Sequence, residues 1–357
     1  MSEIERCPAC HVPKHITQEH IWLNSGAIVQ RNDQTGRLAL IESESLDPLY
    51  AGIDRLLGVP IEHIVTEAAR RATRTYMGQL VPRELKDLVQ RREVGVETIV
   101  DLSFQTARIM GYGDAALVEF RYEEGGNRFI TIRISQPYSA PLFFGNFVGT
   151  VEAVMEEQSW ITYREISPGV YEATVRPFEH PPELKERLRI TPYRHREGHA
   201  QLERCGTCGG PLALSAFEWD VDRGVIRNKD TGRRMALLGS EMLDPFFNEL
   251  EDELGEIIPQ VVVEAQRRLV KNGLYSVSEI VDEEAIRSEL ALRGLGELRE
   301  LRIRRSGIYL RLDNATLRLL VAGVAQGLYE LAFGVDSEVA WRASEEGNLE
   351  VEVKLRV

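Results

Sequence analysis

The chain has 357 residues, of which 43% are hydrophobic and 28% charged, and its formal net charge is −13 at pH 7. This composition is typical of a globular protein, and the length predicts two or three domains. The acidic balance argues against a broad nucleic-acid surface, because phosphate binding needs a concentrated positive field, and we predict no nucleic-acid partner.

No stretch approaches the ~20 apolar residues of a membrane span, and the first six residues have no secretory pattern. We therefore expect a cytoplasmic protein without a membrane span. In the cytoplasm thiols stay reduced, so paired cysteines indicate metal or redox chemistry rather than structural disulfides.

All four cysteines lie in two short motifs, Cys7-Pro8-Ala9-Cys10 and Cys205-Gly206-Thr207-Cys208. Two residues between cysteines let one tight turn present both sulfurs to one metal ion. A short hairpin is predicted after each motif, at residues 19–31 and 217–226. A turn of this kind followed by a hairpin is half of a zinc ribbon.

The segments that follow the cysteine pairs also recur in order, which predicts two copies of one unit. The matching pairs include Trp22 with Trp219, Thr35-Gly36-Arg37 with Thr231-Gly232-Arg233, Leu46-Asp47-Pro48 with Leu243-Asp244-Pro245, Gly111-Tyr112-Gly113 with Gly294-Leu295-Gly296, and Gly145 and Gly149 with Gly323 and Gly327. The pattern predicts a first domain at residues 1–178, a linker at 179–200 and a second domain at 201–357. We expect an α+β fold in each copy, with a pseudo-two-fold axis relating the copies.

Neither copy contains a complete four-ligand site of its own. We therefore predict that Cys7, Cys10, Cys205 and Cys208 converge on one zinc ion, with iron as the less favoured metal. Three other interpretations remain open at this level. They are a local site using two of His11, His15 and His20, a redox motif, and cysteines without any ligand.

A helical block follows each hairpin. Asp47-Pro48 and Asp244-Pro245 have the order of an N-cap and a first helical residue. On the next helix the pattern predicts a solvated face of Glu–Arg pairs, with an anion site as the alternative; its residues are Glu67, Arg70, Arg71 and Arg74, then Glu264, Arg267, Arg268 and Lys271. Further helices are predicted at 81–91, 97–110 and 277–293.

The next stretch of each copy begins with the Gly-x-Gly motif. In the first copy a hairpin of alternating strands is predicted at residues 116–134, with its turn at Glu124-Gly125-Gly126. An apolar helix at 141–152 follows, with Gly145 and Gly149 on one face, which lets a sheet, a helix or a ligand approach closely. A closing strand is predicted at 171–175, and its counterpart at 349–353.

In this order of elements, residues 111–175 and 294–355 resemble the vinyl reductase domain, also called the hydrocarbon-binding-protein domain. The resemblance implies a mixed α/β domain that binds small molecules and often dimerises, with roles as a sensor of aromatic compounds or an accessory factor of chlorophyll synthesis. Many family members carry a zinc-binding cysteine pair near the C-terminus. Residues 165–175 and 343–355 contain no cysteine, so the N-terminal pairs are a separate feature.

The resemblance places a ligand pocket between the sheet and the glycine-bearing helix. Its candidate lining is Tyr112, Phe143, Phe144, Phe147 and Tyr163 in the first copy, and Leu295, Leu320, Val324 and Trp341 in the second. Ordinary core packing is the competing interpretation of these apolar positions. The linker histidines, His180, His195 and His199, are expected to be solvated.

No residue pattern indicates catalysis, since the sequence has no nucleophile triad, phosphate loop or HExxH motif. The leading hypothesis is a zinc-stapled cytoplasmic protein that senses or carries a small apolar or aromatic molecule without catalytic activity. The first alternative is a protein-interaction scaffold or assembly factor with a vestigial pocket. The second is an accessory factor of a tetrapyrrole or aromatic-compound pathway.

Overall fold

A computed structural model of the chain describes residues 4–32, 34, 36–121, 128–180, 196–239, 243–276, 282–344 and 346–356. Helices and antiparallel sheets alternate along it, in agreement with the predicted α+β class. The helices are α1 Lys14–Glu19, α2 Leu46–Leu57, α3 Glu62–Leu80, α4 Arg83–Gln90, α5 Val96–Ile109, α6 Ala140–Met155, α7 Asp244–Leu254, α8 Ile258–Leu269, α9 Glu283–Leu292 and α10 Arg318–Phe333. Within these ranges no helix is both long and apolar enough to span a bilayer.

The strands include the predicted hairpins at residues 19–31, 116–134 and 217–226 and the predicted closing strands, together with strands that the sequence pattern did not place. They are β1 His20–Trp22, β2 Ile28–Gln30, β3 Arg37–Glu42, β4 Asp114–Arg121, β5 Phe129–Ser135, β6 Ser159–Ser167, β7 Val170–Pro177, β8 Phe217–Asp220, β9 Val225–Asn228, β10 Arg234–Gly239, β11 Glu297–Arg304, β12 Gly307–Asp313, β13 Ser337–Ala343 and β14 Leu349–Leu355. The predicted turns at Thr35 and at Glu124-Gly125-Gly126 fall wholly or partly outside the described residues.

The chain forms two compact units, each assembled from separated segments. The first unit contains Met1–Ile61, Pro192–Phe217 and Leu237–Val357, and the second contains Glu62–Thr191 and Glu218–Ala236. The compact units are defined by spatial contacts, whereas the predicted domains at residues 1–178 and 201–357 are defined by internal sequence similarity. The boundaries of the compact units therefore do not test the predicted domain boundaries.

The second unit is built on a four-stranded sheet in the order β4-β5-β7-β6. Strand β5 shows why it forms: Ile130, Ile132 and Ile134 alternate toward the buried face and are at most 5% exposed, as a half-buried strand requires. Helix α6 packs against this buried face and α3 packs against α6. Strand β9 of this unit pairs with the first residues of β10 through Ile226 and Met235.

The first unit contains a four-stranded sheet in the order β11-β12-β14-β13. Its core joins Leu310, Leu312 and Tyr329 with Val351 and Val353 from the closing strand. Helix α10 packs on this sheet and α8 packs on α10. Strands β1, β2 and β3 form an antiparallel meander in the same unit.

The glycines four residues apart serve helix-to-helix contact in both units. A Cβ on Gly145 would lie 2.4 Å from the carbonyl oxygen of Thr66 in α3, and one on Gly149 would lie 2.4 Å from that of Arg70. In the first unit a Cβ on Gly323 would lie 2.6 Å from the Cβ of Gln266 in α8. Of the three uses that the spacing allowed, close approach of a helix is the one observed.

Each Gly-x-Gly turn contacts the glycine of a hairpin turn in the other half of the sequence. In the first unit the Gly296 amide donates to the Gly26 carbonyl at 3.2 Å, and in the second the Gly113 amide donates to the Gly224 carbonyl at 2.9 Å. A Cβ on Gly224 would lie 2.2 Å from the Gly113 oxygen. This approach leaves no space for a side chain, so the motif is a packing device.

The predicted helix starts at Asp47 and Asp244 are wrong by one or two residues. Helix α2 begins at Leu46 after a 3₁₀ turn at Ser43–Ser45, and no side chain caps its N-terminus. Helix α7 begins at Asp244 itself. Since the 3₁₀ turn leads directly into α2, Asp47 lies inside the first turn of that helix, where a carboxylate interacts favourably with the helix dipole.

Candidate metal centre

The two cysteine pairs are held in equivalent tight turns within the first unit. A bridge between Arg6 and Pro13 closes the first turn, and one between Arg204 and Pro211 closes the second. Inside each turn the first cysteine's amide donates across the turn, Cys7 to the Val12 oxygen at 2.9 Å and Cys205 to the Gly210 oxygen at 2.8 Å. Both sulfurs of each pair therefore leave the backbone on the same side.

The four sulfurs lie together. Their Sγ atoms are all within 4.8 Å of one another, with 3.8 Å between Cys7 and Cys205 and 3.6 Å between Cys10 and Cys208. A tetrahedron with metal–sulfur bonds of about 2.3 Å has an edge of about 3.8 Å. The cluster therefore has the size of a four-thiolate metal site, and all of its ligands come from the protein.

One residue in each turn has a left-handed backbone. These are His11, with φ of 60°, and Gly209, with φ of 73°. Glycine adopts this conformation without penalty, whereas a residue with a Cβ does so at a cost of roughly 1 kcal/mol. The first turn thus uses histidine at the place where the second turn uses glycine.

The two turns also meet through Gly210 and the first helix. A Cβ on Gly210 would lie 2.5 Å from the Cγ2 of Thr17 in α1, so only glycine permits the observed distance. The guanidinium of Arg204 donates to the Trp22 carbonyl at 2.7 Å. These contacts fix the second turn against α1 and β1, and no pattern in the sequence predicts them.

Backbone amides and burial divide the thiols into two kinds. Amides of Cys10 and Ala9 hold the pKa of Cys7 below its ordinary value, and those of Cys208 and Thr207 lower the pKa of Cys205 to about 6. Burial raises the pKa of Cys10 to about 12 and also raises that of Cys208. A cation that binds all four sulfurs must therefore displace protons from the second cysteine of each pair.

The histidines predicted for a local site do not join the cluster, which in the described part of the chain consists of the four cysteines. His11 is exposed, and the ring of His20 is buried with its Nδ1 at 3.0 Å from the Ile16 oxygen. Burial lowers the pKa of His20 to about 4. The site that uses Cys7 and Cys10 with histidines is therefore not formed.

The linker histidines differ from one another. His180 is 5% exposed and its Nε2 lies 2.9 Å from the Ser159 oxygen, so the expectation that it is solvated is wrong. His199 is exposed, as expected, and His195 lies outside the described residues.

The first-copy residues predicted to line a pocket pack within the second unit. Phe143, Phe144 and Phe147 are at most 7% exposed, and the rings of Phe144 and Tyr163 stack with centroids 4.2 Å apart. The Tyr163 hydroxyl donates to Glu62 at 2.6 Å. Tyr112 is half-buried, and the centroid of its ring lies 4.7 Å from that of Tyr138. Burial raises the pKa of Tyr112.

The second-copy residues lie in the first unit. Trp341 packs against the core of the sheet β11-β12-β14-β13, and Leu295 is 6% exposed in the turn before β11. Leu320 and Val324 are half-buried on α10. The structure thus places all nine residues in or beside the two cores.

A buried ion network on α3 replaces the predicted solvated face. Arg70 and Arg71 are 3% and 6% exposed, and Arg70 donates to Glu152 of α6 at 2.9 Å and to Glu67 at 2.9 Å. Glu152 also accepts the Ser159 amide at 2.7 Å. The face is buried because α6 lies on it, which the helical spacing of charges does not reveal.

The first unit contains the corresponding network. Arg267 and Lys271 of α8 pair with Glu330 of α10, Lys271 at 2.8 Å and Arg267 at 2.5 Å. Glu330 accepts the Ser337 amide at 3.0 Å. In each unit a buried glutamate therefore ties two helices to the start of the next strand.

The sequence matches no family model, and no curated protein matches it. Among solved structures the chain is similar to H-NOX proteins. A variant that contains 4-cyano-L-phenylalanine is 12% identical, with 41% of this chain and 84% of that chain covered and a TM-score of 0.25. A point variant from T. tengcongensis is 14% identical, with 41% of this chain and 85% of that chain covered and a TM-score of 0.25. An oxygen-binding H-NOX domain related to soluble guanylate cyclases gives 15% identity over 39% of this chain and 80% of that chain, with a TM-score of 0.24. TM-scores of this size do not establish a shared fold.

Proposed function

We propose that the protein is a zinc-stapled binding protein of the cytoplasm, without catalytic activity, whose ligand is a small apolar or aromatic molecule. The observation that carries the metal part is the cluster of four sulfurs with tetrahedral spacing. A closed set of four protein thiolates is typical of structural zinc, whereas catalytic zinc keeps one position open for water or substrate.

The staple is proposed to join two copies of an ancestral unit. In support, each short sulfur contact joins a cysteine to its counterpart, Cys7 to Cys205 and Cys10 to Cys208, which is the pattern of a two-fold symmetric contact. The two four-stranded sheets also have the same strand order. The proposed pseudo-two-fold axis relates the turn of Cys7 and Cys10 to the turn of Cys205 and Cys208.

The ligand part of the proposal rests on the resemblance to the vinyl reductase domain. It is supported by the half-buried aromatic residues Tyr112, Tyr163 and Trp341, since ligand sites are lined mainly by apolar and aromatic side chains with a few polar groups. Tyr163 supplies both, because its ring stacks on Phe144 while its hydroxyl reaches Glu62.

The test is mass spectrometry of the purified protein under native and denaturing conditions, with metal analysis of the same sample. We expect one zinc per chain and an added small-molecule mass that is lost on denaturation. Phe147→Trp should lower this occupancy and leave the zinc unchanged, while Leu102→Ala, an exposed position on α5, should change neither. Zinc without any released molecule would contradict the ligand part alone.

A protein-interaction scaffold is the second candidate. It is favoured by the mutual packing of Phe143, Phe144 and Tyr163, because rings that stack on one another already fill the space that a ligand would use. A metal-loaded protein that releases no small molecule and takes up none of an added apolar fluorophore would favour this candidate. A visible absorbance band would instead favour the tetrapyrrole accessory role or bound iron.

A further inference from the structure

The outer face of the sheet β4-β5-β7-β6 has a row of alternating arginine and aromatic side chains. Cross-strand pairing joins Arg121 to Phe129 and Arg176 to Trp160, and the Arg176 guanidinium lies 4.9 Å from the centre of the Phe129 ring. The four residues therefore form one line across all four strands. We call this line the arginine–aromatic row.

The row is accessible over much of its length. Trp160 is 42% exposed, and Phe178, whose ring centre lies 6.0 Å from that of Trp160, is 50% exposed. The Arg121 side chain is 48% exposed, and its ion pair with Glu119 at 3.3 Å is also exposed, so that pair contributes little and can exchange for another anion. Isolated exposed rings are ordinary, but two adjacent ones indicate an interaction site.

The corresponding row of the other four-stranded sheet shows that the fold does not require these rings. Ser159 and Ser337 occupy equivalent places, since each amide donates to the buried glutamate of the preceding helix. When the strands are aligned on these serines, Glu338 lies at the position of Trp160, and Arg356 lies at the position of Phe178. Arg356 and Glu338 form an exposed ion pair at 3.3 Å. The position of Phe129 is Gly307. The exposed aromatic residues are thus particular to one sheet.

The outer face also differs in charge from the chain as a whole. Four arginines, Arg121, Arg133, Arg164 and Arg176, share it with three carboxylates, Asp114, Glu119 and Glu172, while the chain has a net charge of −13. The face therefore suits an anionic ligand that also presents flat rings. It is open, and a small molecule on an open face could not bury most of its surface as ligands in pockets do.

We propose that the arginine–aromatic row binds single-stranded nucleic acid, with bases stacking on Trp160 and Phe178 and phosphates contacting Arg121 and Arg176. Single strands are bound by surfaces that combine positive charge with exposed aromatic rings, because every base has a face that stacks. The row spans three strand spacings, about 14 Å, so the contact involves a short stretch of nucleotides. The net charge predicted no such partner, because it averages over the chain and not over one face.

The test is fluorescence anisotropy of the 357-residue, metal-loaded protein with a labelled single-stranded oligouridylate of about twelve nucleotides. We expect saturable binding at low salt that weakens roughly sevenfold between about 50 and 200 mM salt, as two phosphate contacts on a single strand imply. Trp160→Ala should weaken binding at least about fivefold through lost stacking. Arg176→Ala should weaken it and reduce the salt dependence by about half.

Matched controls exist on the other sheet. Lys354→Ala and Glu338→Ala change the positions equivalent to Arg176 and Trp160 and should leave binding unaltered. Absence of saturable binding at low salt would overturn the proposal, and so would affinity unchanged by Trp160→Ala. Equal binding of a duplex or of an acidic polypeptide would also overturn it, because neither presents unstacked bases. Zinc content, measured in each variant, separates failure of this proposal from failure of the metal site.

Discussion

Removing one thiolate from the cysteine cluster should abolish the whole metal site. In Cys205→Ser we expect no bound metal, because a shared site loses its tetrahedral set when any one of four ligands is removed. Thr207→Ala is the matched control, since Thr207 is exposed in the same turn and the substitution retains the backbone amide that points at Cys205. This control should bind one zinc per chain.

The size of the stabilisation by zinc follows from the separation of the two cysteine turns in the sequence. Cys7 and Cys205 are 198 positions apart, and closing a loop of that length costs an unfolded chain about 5 kcal/mol. The unfolded state therefore gathers all four sulfurs only at this cost, so zinc binds the folded state in preference. At free zinc about 1,000-fold above the dissociation constant, the stabilisation is about 4 kcal/mol. For a unit of roughly 200 residues this raises the Tm by about 8–16 °C.

The assay is metal analysis combined with calorimetry, with and without a strong chelator. The chelator should lower the Tm of the native protein and of Thr207→Ala by this amount and leave that of Cys205→Ser unchanged. Two metals per chain, or half of the metal retained in Cys205→Ser, would show that each pair binds its own ion. A chelator that removes the metal without lowering the Tm would refute the stabilisation argument.

Three further predictions concern packing, buried charge and pH. Gly145→Ala should destabilise the protein by about 1–3 kcal/mol in urea unfolding, because its Cβ would lie 2.4 Å from the Thr66 oxygen. The control is Gly78→Ala on α3, where no atom lies within 4 Å of the added Cβ, and it should stabilise the protein by about 0.5–1 kcal/mol. Equal changes in stability for the two variants would contradict the close contact at Gly145. Glu152→Gln should cost about 2–3 kcal/mol because it leaves the buried Arg70 with Glu67 as its remaining counter-charge. The double change with Arg70→Met should recover much of that loss, as a double-mutant cycle can measure. Burial disfavours the charged ring of His20 and lowers its pKa from 6.5 to about 4, so the unfolded state binds more protons between these two pH values. The free energy of unfolding should therefore fall by about 3 kcal/mol as the pH is lowered from about 6.5 to 4. In urea unfolding, His20→Gln should lack this component of the decline.

Local periodicity predicted most of the regular elements. Helices expected at 81–91 and 97–110 are observed as α4 at Arg83–Gln90 and α5 at Val96–Ile109. The alternation in β5 and the apolar run of α6 likewise placed those elements. These predictions succeed because the period of apolar residues depends on local backbone geometry.

The same local pattern was insufficient for Arg70. Glutamate and arginine at helical spacing look alike on a solvated helix and on a packed one. The decisive group is Glu152, which is 82 positions away in the sequence and directly contacts Arg70 in the structure. For the same reason the spacing of Gly145 and Gly149 left open whether a helix, a sheet or a ligand would cover them.

The sequence by itself determined the four metal-ligand candidates, because two cysteine pairs with the same spacing occur and no other cysteine exists. It also determined the α+β class through alternating and helical periods. Only the tertiary structure decided that sulfurs 198 positions apart meet, that Gly210 must lack a side chain beside Thr17, and which segments form each compact unit. The physical reason is that periodicity reports which face of an element is apolar, whereas the choice of the element that covers that face depends on packing between distant segments of the chain.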